Sequence, residues 1–316
     1  MKHDTHIYIA AKAIDLTRQS VDNIRTVTGR HLSGTSKSRE RRESTKRQRI
    51  MRYYESFLRE ATWAPDDILA DNDPNHIFKL FTDKDFPGHN LKEKDKFELD
   101  GTLYYRFGGA LPYHVDHLAR VIAHMGKLRD FNDQFELRQM MYLYMLISHY
   151  VTDAHVPMHC DLRDDPPNEG KDQDPSRRKG TAKPKGKYMK SSSHAEVEGI
   201  WDDAVKPVAV LEKIIEPADE KHAAEPTELS PDVTFTFKDC KKGKIIVVKD
   251  IPKNGLMDFM IDVCIKSKKR GEEIFPVGNP EVMDKAALKR HTREIFADAI
   301  GNLMSVWRHI WESHTE

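Results

Sequence analysis

The sequence predicts an all-α fold: a mainly helical, bundle-like domain with a small inserted β-hairpin. Three observations predict it. Apolar residues recur at helical spacing in PYHVDHLARVIAHM (112–125) and in the closing segment 284–312. The run FELRQMMYLYMLISHYVTD (135–153) carries few charges in its second half, the pattern of a helix central to a core. Residues 233–252, VTFTFKDCKKGKIIVVKDIP, alternate on both sides of KKGK and read as a hairpin.

The elements follow in order. His6 to Arg18 reads as a first helix, with Ile7, Ala10, Ala11, Ile14 and Leu16 on or near one face. The basic tract Lys37–Arg52, KSRERRESTKRQRIMR, reads as a solvated helix or loop, with anionic lipid or nucleic acid contact as the rarer alternative. Pro65, Asp66 and Asp67 read as a loop or helix start, since proline tolerates a first helical turn. Pro157 is expected to stop the 135–153 helix. Arg163 to Ser193, rich in Pro, Gly, Lys, Asp and Ser, is expected to be a long mobile excursion. A helix starts near Ser193. The closing helix turns Phe296, Ile300, Leu303, Met304, Trp307 and Trp311 inward. The chain thus reads as one domain over 1–316, with insertions at 34–52, 163–193 and 217–255.

Composition narrows the function. Across 316 residues, 51 Lys and Arg balance 51 Asp and Glu, which argues against polyanion binding through bulk charge. No run of 18 apolar residues suggests a membrane span. The first twenty residues are too polar for a signal peptide, so the expectation is a cytoplasmic chain or one whose signal has been removed. Cys160, Cys240 and Cys264 are isolated and odd in number, which excludes a disulfide framework and a CxxC site. No obligate protein partner is inferred.

Chemistry concentrates in HYVTDAHVPMH (149–159). His149 and Asp153 stand four apart and share a helix face. Pro157 then turns the chain so that His159 returns near the same point. His194 and Glu198 repeat the four-residue spacing on another helix. One His-x3-carboxylate pair is commonly a surface hydrogen bond; two pairs on separate helices, with a Pro-x-His return, are how bundles build metal sites. Imidazole and carboxylate suit Zn²⁺.

This motif resembles the zinc-dependent bacterial phospholipase C family and its relatives, the single-strand-specific zinc nucleases, whose signature is His-Tyr-x-(Gly/Thr)-Asp followed after two or three residues by Pro-x-His. The resemblance continues in chain order. THIYIAAKAIDL looks like the family's first helix with a ligand His, here His6. TWAPDDI looks like the segment with a metal-bound Asp, here Asp66, with Asp67 as the other choice. NHIFKLF looks like the segment with the next ligand His, here His76, for which His114 competes. HAEVE looks like the last pair, His194 and Glu198. After His159 the phospholipases continue toward an Asn, whereas this chain reads CDLRDD.

The resemblance implies about three zinc ions per chain. Asp66, His76, His149 and Asp153 would hold the first, and His159, His194 and Glu198 the second. His6, a bridging Asp153 and the amine and carbonyl of Met1 would hold the third. The family's mature chain begins with Trp where this one has Met1, but the interval from Met1 to His6 is that of the nucleases. The implied activity is phosphodiester hydrolysis by a zinc-activated water, with Asp66 orienting or deprotonating it. A phospholipase C acting on phospholipid headgroup esters, with possible membrane-surface contact, is the first reading, because the final ligand is Glu198 rather than Asp. Single-strand nucleic acid or nucleotides are the alternative substrates, and a metal-stabilised binding protein without turnover is a third reading. His155 is expected to be a core histidine or to support the ligands.

Overall fold

The computed structural model describes residues 2–28, 54–69, 71, 73–87, 91, 93–127, 134–166, 188–205, 234–236 and 245–315. The fold is mostly helical with small β elements, as the apolar periodicity predicts. In chain order it runs α1 (His3–Thr28), α2 (Tyr54–Asp67), α3 (Asp73–His76), β1 (Phe78–Phe81), β2 (Asp95–Leu99), β3 (Thr102–Gly109), α4 (Leu111–Lys127), α5 (Gln134–Asp153), α6 (Pro157–Cys160), α7 (Ser193–Val205), β4 (Thr234–Thr236), β5 (Ile245–Val247), α8 (Leu256–Ile274) and α9 (Lys285–Thr315).

The second half of α5 is buried from Tyr144 to Asp153, as its lack of charge requires. It packs against α1, α2, α4 and α9. From α9 the helical stripe Ile300, Leu303, Met304, Trp307 and Trp311 is buried, and Phe296 is partly so. From α1, Ile7, Ala10, Ala11 and Ile14 enter the same core. Helix α8 was not foreseen; its buried face includes Met260, Val263, Cys264 and Ser267.

A three-stranded antiparallel sheet, ordered β1-β3-β2, is likewise additional to the expected hairpin. The sequence carries a clear signal for it. Asp100 and Gly101 form a two-residue turn with φ of 52° and 71°, pairing Leu99 with Thr102; Asp-Gly is the residue pair such a turn favours. Tyr104, Tyr105 and Phe107 lie on β3. Gly109 ends β3 at φ 88°, and a Cβ there would lie 2.1 Å from the Ile77 carbonyl oxygen. Only glycine lets β3 meet the chain emerging from α3, which sets the position of His76. The predicted hairpin exists as β4 pairing with β5; the rest of the 217–244 stretch lies outside the described residues. The basic tract 34–52 also lies outside them.

Three local expectations are corrected. Pro65, Asp66 and Asp67 are the last turn of α2 rather than a loop or helix start. Pro157 does not stop α5, which ends at Asp153; a turn closed by His155 N–H to Thr152 O and Val156 N–H to Asp153 O intervenes. Pro157 instead opens α6, where its missing N–H costs nothing. The edges of the 163–193 segment are packed: Arg163 and Met189 are buried, and Met189 N–H donates to Arg163 O. Its middle, 167–187, lies outside the described residues.

Candidate metal centre

Six helices deliver the predicted site residues to one place: His6 from α1, Asp66 from α2, His76 from α3, His149 and Asp153 from α5, His159 from α6, and His194 with Glu198 from α7. Among the described residues they form three groups able to hold a metal ion: Asp66, His76 and His149; His6, His149 and Asp153; His159, His194 and Glu198. Met1 lies outside the described residues.

The first group is the tightest. His149 Nε2 lies 3.1 Å from His76 Nδ1, 3.1 Å from Asp153 Oδ2 and 3.4 Å from Asp66 Oδ1. His76 Nδ1 lies 3.0 Å from Asp153 Oδ2 and 3.5 Å from Asp66 Oδ1. A regular tetrahedron around an ion at about 2.0–2.1 Å has edges of about 3.3 Å. Four atoms from three helices therefore converge, with five of their six separations between 3.0 and 3.5 Å, a spacing suited to one small ion.

Asp153 faces two ways. Its Oδ2 lies against His149 and His76 of the first group, while its Oδ1 lies 3.3 Å from His6 Nε2 and 3.5 Å from His159 Nδ1. Among the described residues neither ring nitrogen of His6 has a hydrogen-bond partner, nor has His159 Nδ1, although all are buried. Buried polar atoms are nearly always satisfied, so atoms aimed at a shared carboxylate without completing hydrogen bonds suit ligands of a cation. In the last group His194 Nε2 lies 3.0 Å and His159 Nε2 3.8 Å from Glu198 Oε1.

No family model, curated protein or solved structure matches the chain. The assignment of the centre therefore rests on its geometry and charge.

The electrostatics are compatible with a cation held there. Burial works against ionisation of Asp153, yet His149 and His159 hold its carboxyl well below the usual range. Burial also opposes a charged His149, but Asp153 and Asp66 push it up to about 9. A proton there meets the demand that a divalent ion would meet. His6, stacked on His149 with ring centroids 4.2 Å apart, is lowered to about 4 by burial and by that neighbouring charge. In the last group, burial is again overcome: Asp164 and Glu198 push His194 up to about 9, and His194 holds Glu198 low.

The supporting groups were not legible beforehand. His149 Nδ1 donates to Thr62 O at 2.8 Å, which leaves Nε2 to face the other ligands. Asp71 accepts from Tyr150 Oη at 2.6 Å and from Asn75 Nδ2, and lies 3.8 Å from His76 Nε2. Trp63 walls the site with its ring near His6 and His149. His114 sits against Asp71 and Tyr150 and joins none of the three groups, whereas His76 does. Asp67 is exposed and in none of them, whereas Asp66 is. His155 is fully buried, donating Nδ1–H to Val151 O and accepting at Nε2 from Asn302. It is a core histidine, as expected.

Proposed function

We propose that the chain is a zinc-dependent phosphodiester hydrolase that acts on phospholipid headgroup esters, in the manner of a phospholipase C. The observation that carries this reading is the four-atom cage of His149, His76, Asp66 and Asp153, with Asp153 shared between it and a second group. The donor set is imidazole and carboxylate at tetrahedral spacing, which suits zinc. Zinc held there would neutralise phosphate oxygens and acidify a water molecule.

The protein's own residues divide the remaining work. His149, His76 and Asp153 are buried and hold their positions. Asp66 is the open member of the first group, with its side chain 35% accessible. It can therefore orient an incoming water and accept its proton as the oxygen attacks phosphorus and the ester oxygen departs. Trp63 packs its ring beside His6 and His149.

A lipid substrate is favoured over nucleic acid by the rim. Ile68 and Leu69, directly after Asp66 and Asp67, are 63% and 53% exposed. Their backbone is pinned, since both N–H groups donate to Ala64 O and Asp71 N–H to Pro65 O. A fixed apolar pair beside the reactive centre suits acyl chains. No helix among the described residues is long and apolar enough to cross a membrane. A paired assay tests the reading: short-chain phosphatidylcholine and denatured DNA, each with and without chelator. Chelator-sensitive release of phosphocholine is expected. Cleavage of DNA alone would replace the lipid assignment, and no hydrolysis of either by zinc-loaded protein would overturn the reading.

A further inference from the structure

Beside the last ligand group lies a buried charged assembly in the stretch where the chain departs from the phospholipase pattern. His194 Nδ1 lies 3.3 Å from Asp164 Oδ2, on the ring edge opposite the Nε2 that faces Glu198. Asp164 is held in turn by Lys79, whose Nζ lies 3.3 Å from the same oxygen. Lys79 stands on β1, a strand buried at every position, and is itself 7% exposed. An ammonium has three protons to place, and Lys79 has three oxygen acceptors: Asp164 Oδ2, Met158 O at 2.6 Å and Asp161 O at 3.4 Å. The two carbonyls flank His159. The backbone is tied as well, because Leu162 N–H donates to Leu80 O. One buried lysine therefore grips the backbone around one ligand and, through a carboxylate, the ring of another.

We propose that Asp164, anchored by Lys79, is a positioning residue for the metal group of His159, His194 and Glu198. By accepting a hydrogen bond from His194 Nδ1–H it keeps that proton on Nδ1 and leaves Nε2, on the side of Glu198 and His159, free to bind a cation. A carboxylate behind a ligand histidine raises the ligand's basicity and fixes its ring, and loss of such a group typically costs about 10–100-fold in metal affinity. Nothing in the sequence spacing marks Asp164, since the link to His194 crosses from the loop after α6 to α7, and Lys79 comes from a third element. The proposal rests on the zinc reading above for its consequence, but the Asp164–His194 contact stands without it.

The test has two readouts on the full chain. In zinc competition against a chelator, Asp164→Ala should release one zinc at about 10–100-fold lower chelator concentration than the parent, with the other zincs unmoved. Asp164→Glu should recover most of the loss. Lys79→Met, close in shape, should shift the same zinc in the same direction. Asp164→Asn keeps the volume and serves if the alanine variant does not fold. The second readout is the exchange-protected Nδ1 proton of His194 in the nuclear magnetic resonance spectrum of zinc-free protein. It should be present in the parent, lost in the alanine variant and restored in Asp164→Glu. Should the parent bind no zinc, the hydrolase reading fails and this proton alone decides the role of Asp164. Unchanged zinc release in a zinc-binding parent, or an equally protected proton without the carboxylate, overturns the proposal.

Discussion

His149 donates its Nδ1 proton to the carbonyl oxygen of Thr62 at 2.8 Å. A carbonyl can only accept, so the proton sits on Nδ1, and Nε2 is left for the cage. The helix that carries Asp66 thus also orients the central histidine. Protein purified without chelator should carry more than one zinc per chain by elemental analysis. His149→Ala should lose the first metal, because it removes a nitrogen donor that is itself fully buried. Full zinc content in that variant would show that the cage is not a metal site.

Asp66 should separate chemistry from binding. Asp66→Asn keeps the size and a coordinating oxygen but removes charge and basicity. Turnover should fall by roughly 10²–10⁴, the usual worth of acid–base help, with at least two zincs retained. Asp67→Asn should stay near the parent, since Asp67 is exposed and outside every ligand group. The reverse pattern would move the functional carboxylate by one residue.

The apolar rim should matter only at an interface. Replacing Ile68 and Leu69 together by serine removes two exposed apolar side chains. Full burial of each would be worth about 1.5–3 kcal/mol, so a partial insertion predicts a loss on the order of 10-fold on vesicles. Turnover of a monomeric short-chain substrate should change by less than about twofold, by the same area argument. Equal losses on both substrates would place the pair in folding rather than in lipid contact.

Stability of zinc-free protein should fall on mild acidification. His155 is pinned between Val151 O and Asn302, and burial lowers it from 6.5 to about 4. The unfolded chain therefore takes up this proton first as pH falls. The contribution is full above the unfolded value of 6.5 and is lost as pH drops toward about 4. His6, lowered to about 4 as well, acts in the same direction. Melting temperatures should decline across this window, and His155→Gln should flatten the decline. Parallel curves for the two proteins would contradict this origin.

Lys268 is the clearest stability test. It lies fully buried, 3.0 Å from Asp85 Oδ2 and 3.4 Å from Asp161 Oδ2, with Arg163 completing the assembly. Lys268→Met leaves two buried carboxylates against one cation. Breaking one partner of such a set costs about 3–5 kcal/mol, which urea unfolding would measure. The cost of a surface pair, under about 1 kcal/mol, would mean that water reaches the assembly.

Much of the helical framework was legible because helical spacing and burial impose a local pattern. The stripe of α9 and the uncharged second half of α5 needed nothing beyond the sequence. The β2–β3 hairpin is equally local, marked by Asp100 and Gly101 at its turn. Helix α8 was harder to see, since it buries Lys268 and Ser267 in its inward face; charge at a core position breaks the apolar period.

The site divides along the same line. The sequence by itself determined which side chains could serve as ligands: pairs four apart on helices are neighbours by helical geometry alone, as with His149 and Asp153 or His194 and Glu198. Only the tertiary structure decided that His76 rather than His114, and Asp66 rather than Asp67, enters a ligand group. It also decided that Asp153 faces two groups at once, and that Thr62, Lys79 and Asp164 stand behind the ligand segments. Those relations join α2 to α5, and β1 to α7 through the loop after α6. No periodicity records them, because the packing of distant segments, not residue spacing, sets which lone pairs converge.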